Sequence, residues 1–155
     1  MSKCIKCDSE TTGKSKYCKP HAAEAREAWR LMIASKAEAK ADDLAHFKHA
    51  AAIAHEAGHK AAMAAIPVPM VINGYAPIDD GVCGFAWVTI RPATSRFAKW
   101  AGKTLGASKA YGGGLMIWIS DYHQSMTRKE AYACAYARTL GEQGIPGIGW
   151  GSRID

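Results

Sequence analysis

"GVCGFAWVTI", residues 81–90, is the stretch on which the fold turns. Asp79 and Asp80 precede it and Arg91-Pro92 follow it, so turn-forming residues bound a run of Val, Ile and aromatic side chains, the pattern of a strand. Downstream, "TSRFAKWAGKTLG" (94–106) reads as a short helix with Phe97, Trp100 and Leu105 on one side, and "GGGLMIWIS" (112–120) as a second strand. "TRKEAYACAYARTLGEQG" (127–144) reads as a helix opened by a Thr127-x-x-Glu130 capping box, with Tyr132, Tyr136 and Leu140 on its apolar side. "IGWGSRID" (148–155) adds a last short strand, and "VPMVING" (68–74) reads as a strand before the central one. Strand, helix, strand, helix, strand in that order points to a small β-α-β-α-β sandwich spanning 67–155.

Upstream the composition changes. Residues 22–66 are alanine-rich, hold no proline and one glycine, and therefore favour helix strongly. Asp42 or Asp43 in "KADDLAHF" offers an N-cap for a second helix, so the segment is expected to form a hairpin. Leu44, Phe47, Ala51, Ala54, Gly58, Ala61 and Ala65 recur at steps of three and four, a narrow stripe of small residues suited to close helix packing, and Pro67 ends it. The expected fold class is thus α+β with α/β character, in three parts: an N-terminal knuckle (1–21), a helical segment (22–66) and the small α/β domain (67–155).

Cys4-x-x-Cys7, ten residues, then Cys18-x-x-His21 is the spacing of a structural metal site. Two paired sets of soft and borderline donors suit a closed tetrahedron around Zn²⁺, and the polar link "DSETTGKSKY" has no means of forming a core without it. An odd total of five cysteines, with no apolar leader and no apolar run of 18 residues, fits thiolate ligation in a reducing compartment better than a disulfide framework or a membrane span. A closed site has no open position for water, so it braces a structure or docks a partner and does not catalyse.

A second metal reading starts from His55-Glu56-Ala57-Gly58-His59, which matches the HExxH pattern. Spacing of i and i+4 sets both imidazoles on one helical face, and Glu56 between them is placed to act as general base in a zinc metallopeptidase. A third ligand is required, and none of His46, His49, Asp121, His123 or Glu130 follows a spacing that supplies one. The bland reading sets His55 and His59 beside the packing stripe, with Gly58 there for close approach.

The net charge of +6 is unevenly spread. Residues 1–21 carry +3, with Lys14, Lys16 and Lys19 beside Tyr17, and between Gly81 and Ser120 there are five cations and no acid. Arg91, Arg96, Lys99, Lys103 and Lys109, with Trp100 among them, form the candidate polyanion-binding patch. Trp87, Trp100 and Trp118 are assigned to the core rather than to base stacking, and Cys83 and Cys134 to inert packing. The terminal "GSRID" is a fraying end by default and a docking tail as the alternative.

"HEAGHKAAMAAIPVPM", "GYAPIDDGVCGFAWVTI", "YGGGLMIWIS", "QSMTRKEAYA" and "GSRID" together resemble a family of small, uncharacterised proteins encoded by tailed bacteriophages. The resemblance covers residues 53–155, about two-thirds of the chain, and leaves the knuckle outside it. It implies a phage origin and the cytoplasm of an infected bacterium as the setting, with the virion as alternative. In that family the position of His59 is commonly methionine, which implies that a zincin site is not kept there. The functions expected are therefore a non-enzymatic accessory protein that binds nucleic acid or a host or virion protein, then a small metallopeptidase, then a structural virion component.

Overall fold

The computed structural model describes residues 2–12 and 15–155, so Gly13 and Lys14 of the knuckle's basic link lie outside the described residues. Its elements are β1 (Ser2–Lys3), β2 (Glu10–Thr11), α1 (Lys19–Ala64), β3 (Gly84–Ile90), α2 (Arg96–Thr104), β4 (Ser108–Lys109), β5 (Leu115–Trp118), α3 (Met126–Glu142) and β6 (Ile148–Ile154). The chain is α+β, as the alternation of its segments predicts, and it divides into two compact units, Met1–Leu44 and Ala45–Asp155.

In the first unit, β1 and β2 pair antiparallel, Ser2 with Thr11 and Lys3 with Glu10, and the helix begins at Lys19. Pro20 sits in its first turn, where a missing amide costs nothing, and the carbonyl of Cys18 accepts the amide of Ala22 at 2.8 Å. The expected helical hairpin does not form: α1 runs unbroken for 46 residues. Asp42 and Asp43 are interior helical residues rather than an N-cap, because nothing between Pro20 and Pro67 removes an amide or forces a positive φ, and helix propagates wherever it is not broken. From Arg26 to Leu44 the helix is almost wholly exposed, Trp29 and Leu31 included.

The second unit is built on the antiparallel sheet β4-β5-β3-β6. β3 is central and alternates strictly: Gly84, Ala86, Val88 and Ile90 are buried, while Phe85, Trp87 and Thr89 are half-buried on the opposite face. The inner face receives the core, formed by Ala86, Val88 and Ile90 with Phe97, Ala98 and Ala101 of α2, Tyr132, Ala133, Tyr136 and Leu140 of α3, and Phe47, Ala50, Ala54 and Ala62 of α1. Alanine dominates because the elements approach closely. Gly58 is the extreme case, since a Cβ there would stand 2.9 Å from two ring carbons of Tyr132. Phe47 meets Phe97 edge-on, with centroids 5.4 Å apart.

Local signals were kept in some places and overridden in others. Ser95 caps α2 by accepting the amide of Ala98 at 3.0 Å. The Thr127-x-x-Glu130 capping box is not used: α3 starts at Met126, with Ser125 as its N-cap residue, and Glu130 instead accepts the hydroxyl of Ser152 at 2.5 Å. "VPMVING" forms no strand beyond a single bridge between Met70 and Ile78, since Pro67 and Pro69 delete alternate amides that a ladder needs. The "GSRID" end neither frays nor projects as a tail. It lies within β6, paired with β3 from Ile90–Ile148 to Gly84–Ile154. Gly147 makes the turn into that strand at φ 72°, so close to Arg91 that a Cβ would overlap the Arg91 carbonyl.

Candidate metal centre

Two turns of chain bring the four donors together. The amide of Cys4 donates to the carbonyl of Ser9 at 2.9 Å and that of Ser9 to Cys7, closing the first knuckle, while the Ile5 amide reaches the carbonyl of Lys16 at 3.1 Å and ties it to the second. Cys18 ends the link and His21 lies one helical turn later, so the start of α1 sets the angle between them. The ligand atoms of Cys4, Cys7, Cys18 and His21 all lie within 4.8 Å of one another. Cys4 and Cys18 are buried, whereas Cys7 and His21 are half-buried.

The spacings involving His21, and that between Cys7 and Cys18, come within about 0.4 Å of a tetrahedron's edges. With metal–sulfur bonds of ~2.3 Å and metal–nitrogen bonds of ~2.0–2.1 Å, tetrahedral angles require sulfur–sulfur edges of about 3.8 Å and sulfur–nitrogen edges of about 3.6 Å. The Sγ atoms of Cys7 and Cys18 are 3.6 Å apart, and Nδ1 of His21 is 3.4, 3.2 and 3.2 Å from the sulfurs of Cys4, Cys7 and Cys18. Those sulfurs are too far apart for a disulfide, and all five cysteines are free. The donors therefore fit a closed four-coordinate metal ion.

The pKa values of the four groups shift in different directions. Burial pushes the Cys4 thiol up, but amides of Cys18 and Lys6 and the imidazole of His21 outweigh it and hold the thiol at about 6. The Ser9 hydroxyl, 3.3 Å away, draws Cys7 below the usual thiol range. Cys18 goes the other way: against the His21 amide, burial and the crowding of the Cys7 and Cys4 thiols push it up. His21 is raised by its bond to Cys4. Crowded thiolates that raise one another's cost of ionising are the condition a divalent cation relieves.

Among the described residues, this is the one group of three or more His, Cys, Asp or Glu side chains gathered within reach of a single ion. The histidines of the HExxH pattern are engaged elsewhere: Nδ1 of His55 is hydrogen-bonded to the hydroxyl of Tyr132 at 2.6 Å, and Nδ1 of His59 to that of Tyr122 at 2.9 Å. Glu56 beside them is exposed, and among the described residues no third ligand is brought to the pair. Comparison of the chain with family models, with curated proteins and with solved structures finds no match.

The candidate polyanion residues come from three parts of the fold. Arg96, Lys99 and Lys103 share an exposed side of α2, Lys109 lies on the two-residue strand β4, and Arg91 follows β3. Trp100 is not displayed among them: it is half-buried against Phe97 and Phe47, at centroid distances of 5.5 and 6.0 Å.

The arrangement that sequence reasoning missed is the outer face of the sheet. Trp87 and Trp118, assigned to the core from their apolar setting, stand opposite one another on β3 and β5 with rings parallel to within 7° and centroids 5.8 Å apart. Phe85 lies 5.2 Å from Trp118 on the same face. The signal was there in the size alternation along β3, small or aliphatic at 84, 86, 88 and 90 and bulky and aromatic at 85 and 87. Small residues belong where alanine-rich helices press close, which leaves the large rings for the other side.

Proposed function

We propose that this is a non-enzymatic, phage-encoded accessory protein that binds nucleic acid and is braced by one structural Zn²⁺ held by Cys4, Cys7, Cys18 and His21. The observation that carries the zinc assignment is the donor cluster: three thiols and an imidazole whose ligand atoms lie within 4.8 Å of one another, a soft set that favours Zn²⁺ over Mg²⁺ or Ca²⁺. Among the described residues of the stretch 2–18, Cys4, Thr11 and Cys18 are the buried side chains, so its folding free energy comes largely from the ion, as in peptides where zinc supplies ~10 kcal/mol or more. Closed coordination leaves no vertex for an activated water, which is why the role is structural.

Nucleic acid is the partner favoured by charge. The exposed trio Arg96, Lys99 and Lys103 repeats at helical spacing on α2, and Lys16 and Lys19 flank the metal cluster, all without sequence-reading geometry. The phage setting rests on the resemblance of residues 53–155. Elemental analysis of purified protein should find one zinc per chain, lost in Cys18→Ser. Binding of labelled DNA or RNA should weaken steeply as salt is raised, and K99E/K103E should weaken it for all sequences alike. A chain free of zinc, or no retention of any nucleic acid at low salt, refutes the corresponding half.

A further inference from the structure

We propose that the outer face of the sheet is a stacking platform for single-stranded nucleic acid, with Trp118 and Trp87 receiving bases and Arg91 and Arg153 holding the flanking phosphates. The inference deepens the nucleic-acid reading above and rests on it.

Three rings, Phe85, Trp87 and Trp118, lie in a row on the two central strands, on the side opposite the core. Trp87 and Trp118 border a concavity of about 500 Å³ that Arg91, Tyr111, Met116, Trp150 and Arg153 help to line. Tyr111 is fully exposed, and Trp118 stays 44% exposed even though it packs against Trp87 and Phe85. On β6 this face carries Gly149 and Gly151 opposite Thr89 and Trp87, with Arg153 opposite Phe85, and Trp150 also lines the concavity. A Cβ at Gly151 would stand 3.1 Å from the Trp87 indole, so glycine there is what lets that ring lie against the strand with its flank open.

Charge selects the occupant. The lining contains two arginines and no acid, in a protein of net charge +6. Arg153 pairs with Phe85 at one end of β3 and Arg91 follows Ile90 at the other, about 20 Å apart at the ~3.3 Å rise of a strand. Arg153 sits 5.7 Å over the Phe85 ring, which keeps its guanidinium on the aromatic row. Guanidinium forks at both ends match a phosphate chain running across the sheet, and indole faces between them match unpaired bases, in the manner of four-stranded sheets that stack roughly two or three bases. A duplex hides its base faces and has no use for such rings.

The test uses the full-length protein with an oligothymidylate single strand and a duplex of equal length, read by anisotropy of the labelled nucleic acid and by tryptophan fluorescence. Quenching by the single strand, tighter binding of it than of the duplex, and loss of roughly ten-fold or more in affinity in Trp118→Ala are expected, while Trp118→Phe, which keeps a ring, retains most of the binding. Should Trp118→Ala fail to fold, the wild-type quenching and the Trp118→Phe variant decide. Equal binding of duplex and single strand without quenching overturns the platform but leaves nucleic-acid binding through the α2 cations standing. No binding of either at low salt overturns both. Self-association that Trp118→Ala abolishes, with no response to oligothymidylate, assigns the face to a second copy of the chain and likewise overturns the proposal.

Discussion

Replacing Gly58 with alanine sets two effects of known size against each other. In an exposed helix the change stabilises by about 1 kcal/mol, since alanine loses less backbone freedom than glycine. Here the new methyl would stand 2.9 Å from two Tyr132 ring carbons and 3.2 Å from a third. Relief to ordinary contact at ~3.5 Å needs a shift of roughly 0.6 Å. The ring is not free to make it: Tyr136 is 5.7 Å and Tyr122 5.8 Å away between centroids, and the hydroxyl is held by His55 at 2.6 Å. Overpacking of this kind costs about 1–3 kcal/mol, and a lost hydrogen bond about 1 kcal/mol more. The clash wins by about 1–3 kcal/mol, which lowers the melting midpoint by roughly 4–12 °C for a unit of this size. Thermal unfolding of Gly58→Ala in the wild-type and Tyr132→Leu backgrounds checks the argument, because removing the ring's outer edge should turn the substitution neutral or stabilising. A higher midpoint in the wild-type background, or equal effects in both, refutes it.

Gly147→Ala should be far worse than Gly58→Ala, by about 3 kcal/mol or more, because φ of 72° and overlap with the Arg91 carbonyl leave no relaxed alternative; urea unfolding of the soluble fraction measures it. His59→Met should leave the zinc content per chain unchanged, and a fall in bound metal would restore the metallopeptidase reading. Burial pushes Tyr136 up to about 12 and Tyr132 higher still, so both stay protonated in the fold after the unfolded chain has begun to ionise. Their contribution to stability should therefore be constant below pH ~10, the ordinary tyrosine value, and be lost as pH rises from there toward 12 and beyond; tyrosinate absorbance that titrates fully near pH 10 without unfolding contradicts this. Acidification should release the metal as protons compete for the thiolates, followed with a zinc-sensitive dye.

Much of the framework could be read directly from residue order. β3, α2, β5, α3 and β6 fall where period and turn residues place them, and the paired Cys-x-x-Cys and Cys-x-x-His spacings converge in space. What escaped was whatever depends on a neighbour. Whether residues 22–66 fold back on themselves is invisible to propensity, since Asp42 and Asp43 are tolerable inside a helix as well as at its start. Thr127-x-x-Glu130 has the letters of a capping box, yet Ser152 supplies Glu130 with a better use. Most consequential was the assignment of Trp87 and Trp118 inward: periodicity distinguishes two faces of a strand but does not say which of them meets a helix.

Helix α1 has a consequence for how this gene tolerates variation. Over Phe47–Ala62 the inward positions Ala50, Ala54 and Ala62 are wholly buried and Gly58 has no room for a methyl, whereas from Arg26 to Leu44 side chains face water on nearly every side. A library saturating the whole helix should thus show an abrupt boundary inside one continuous element, permissive on the amino side for anything that keeps the helix and intolerant of bulk on the other. Natural drift would follow the same line, so sequence length and identity in the amino-terminal stretch should wander among close kin while the alanines past Phe47 stay put.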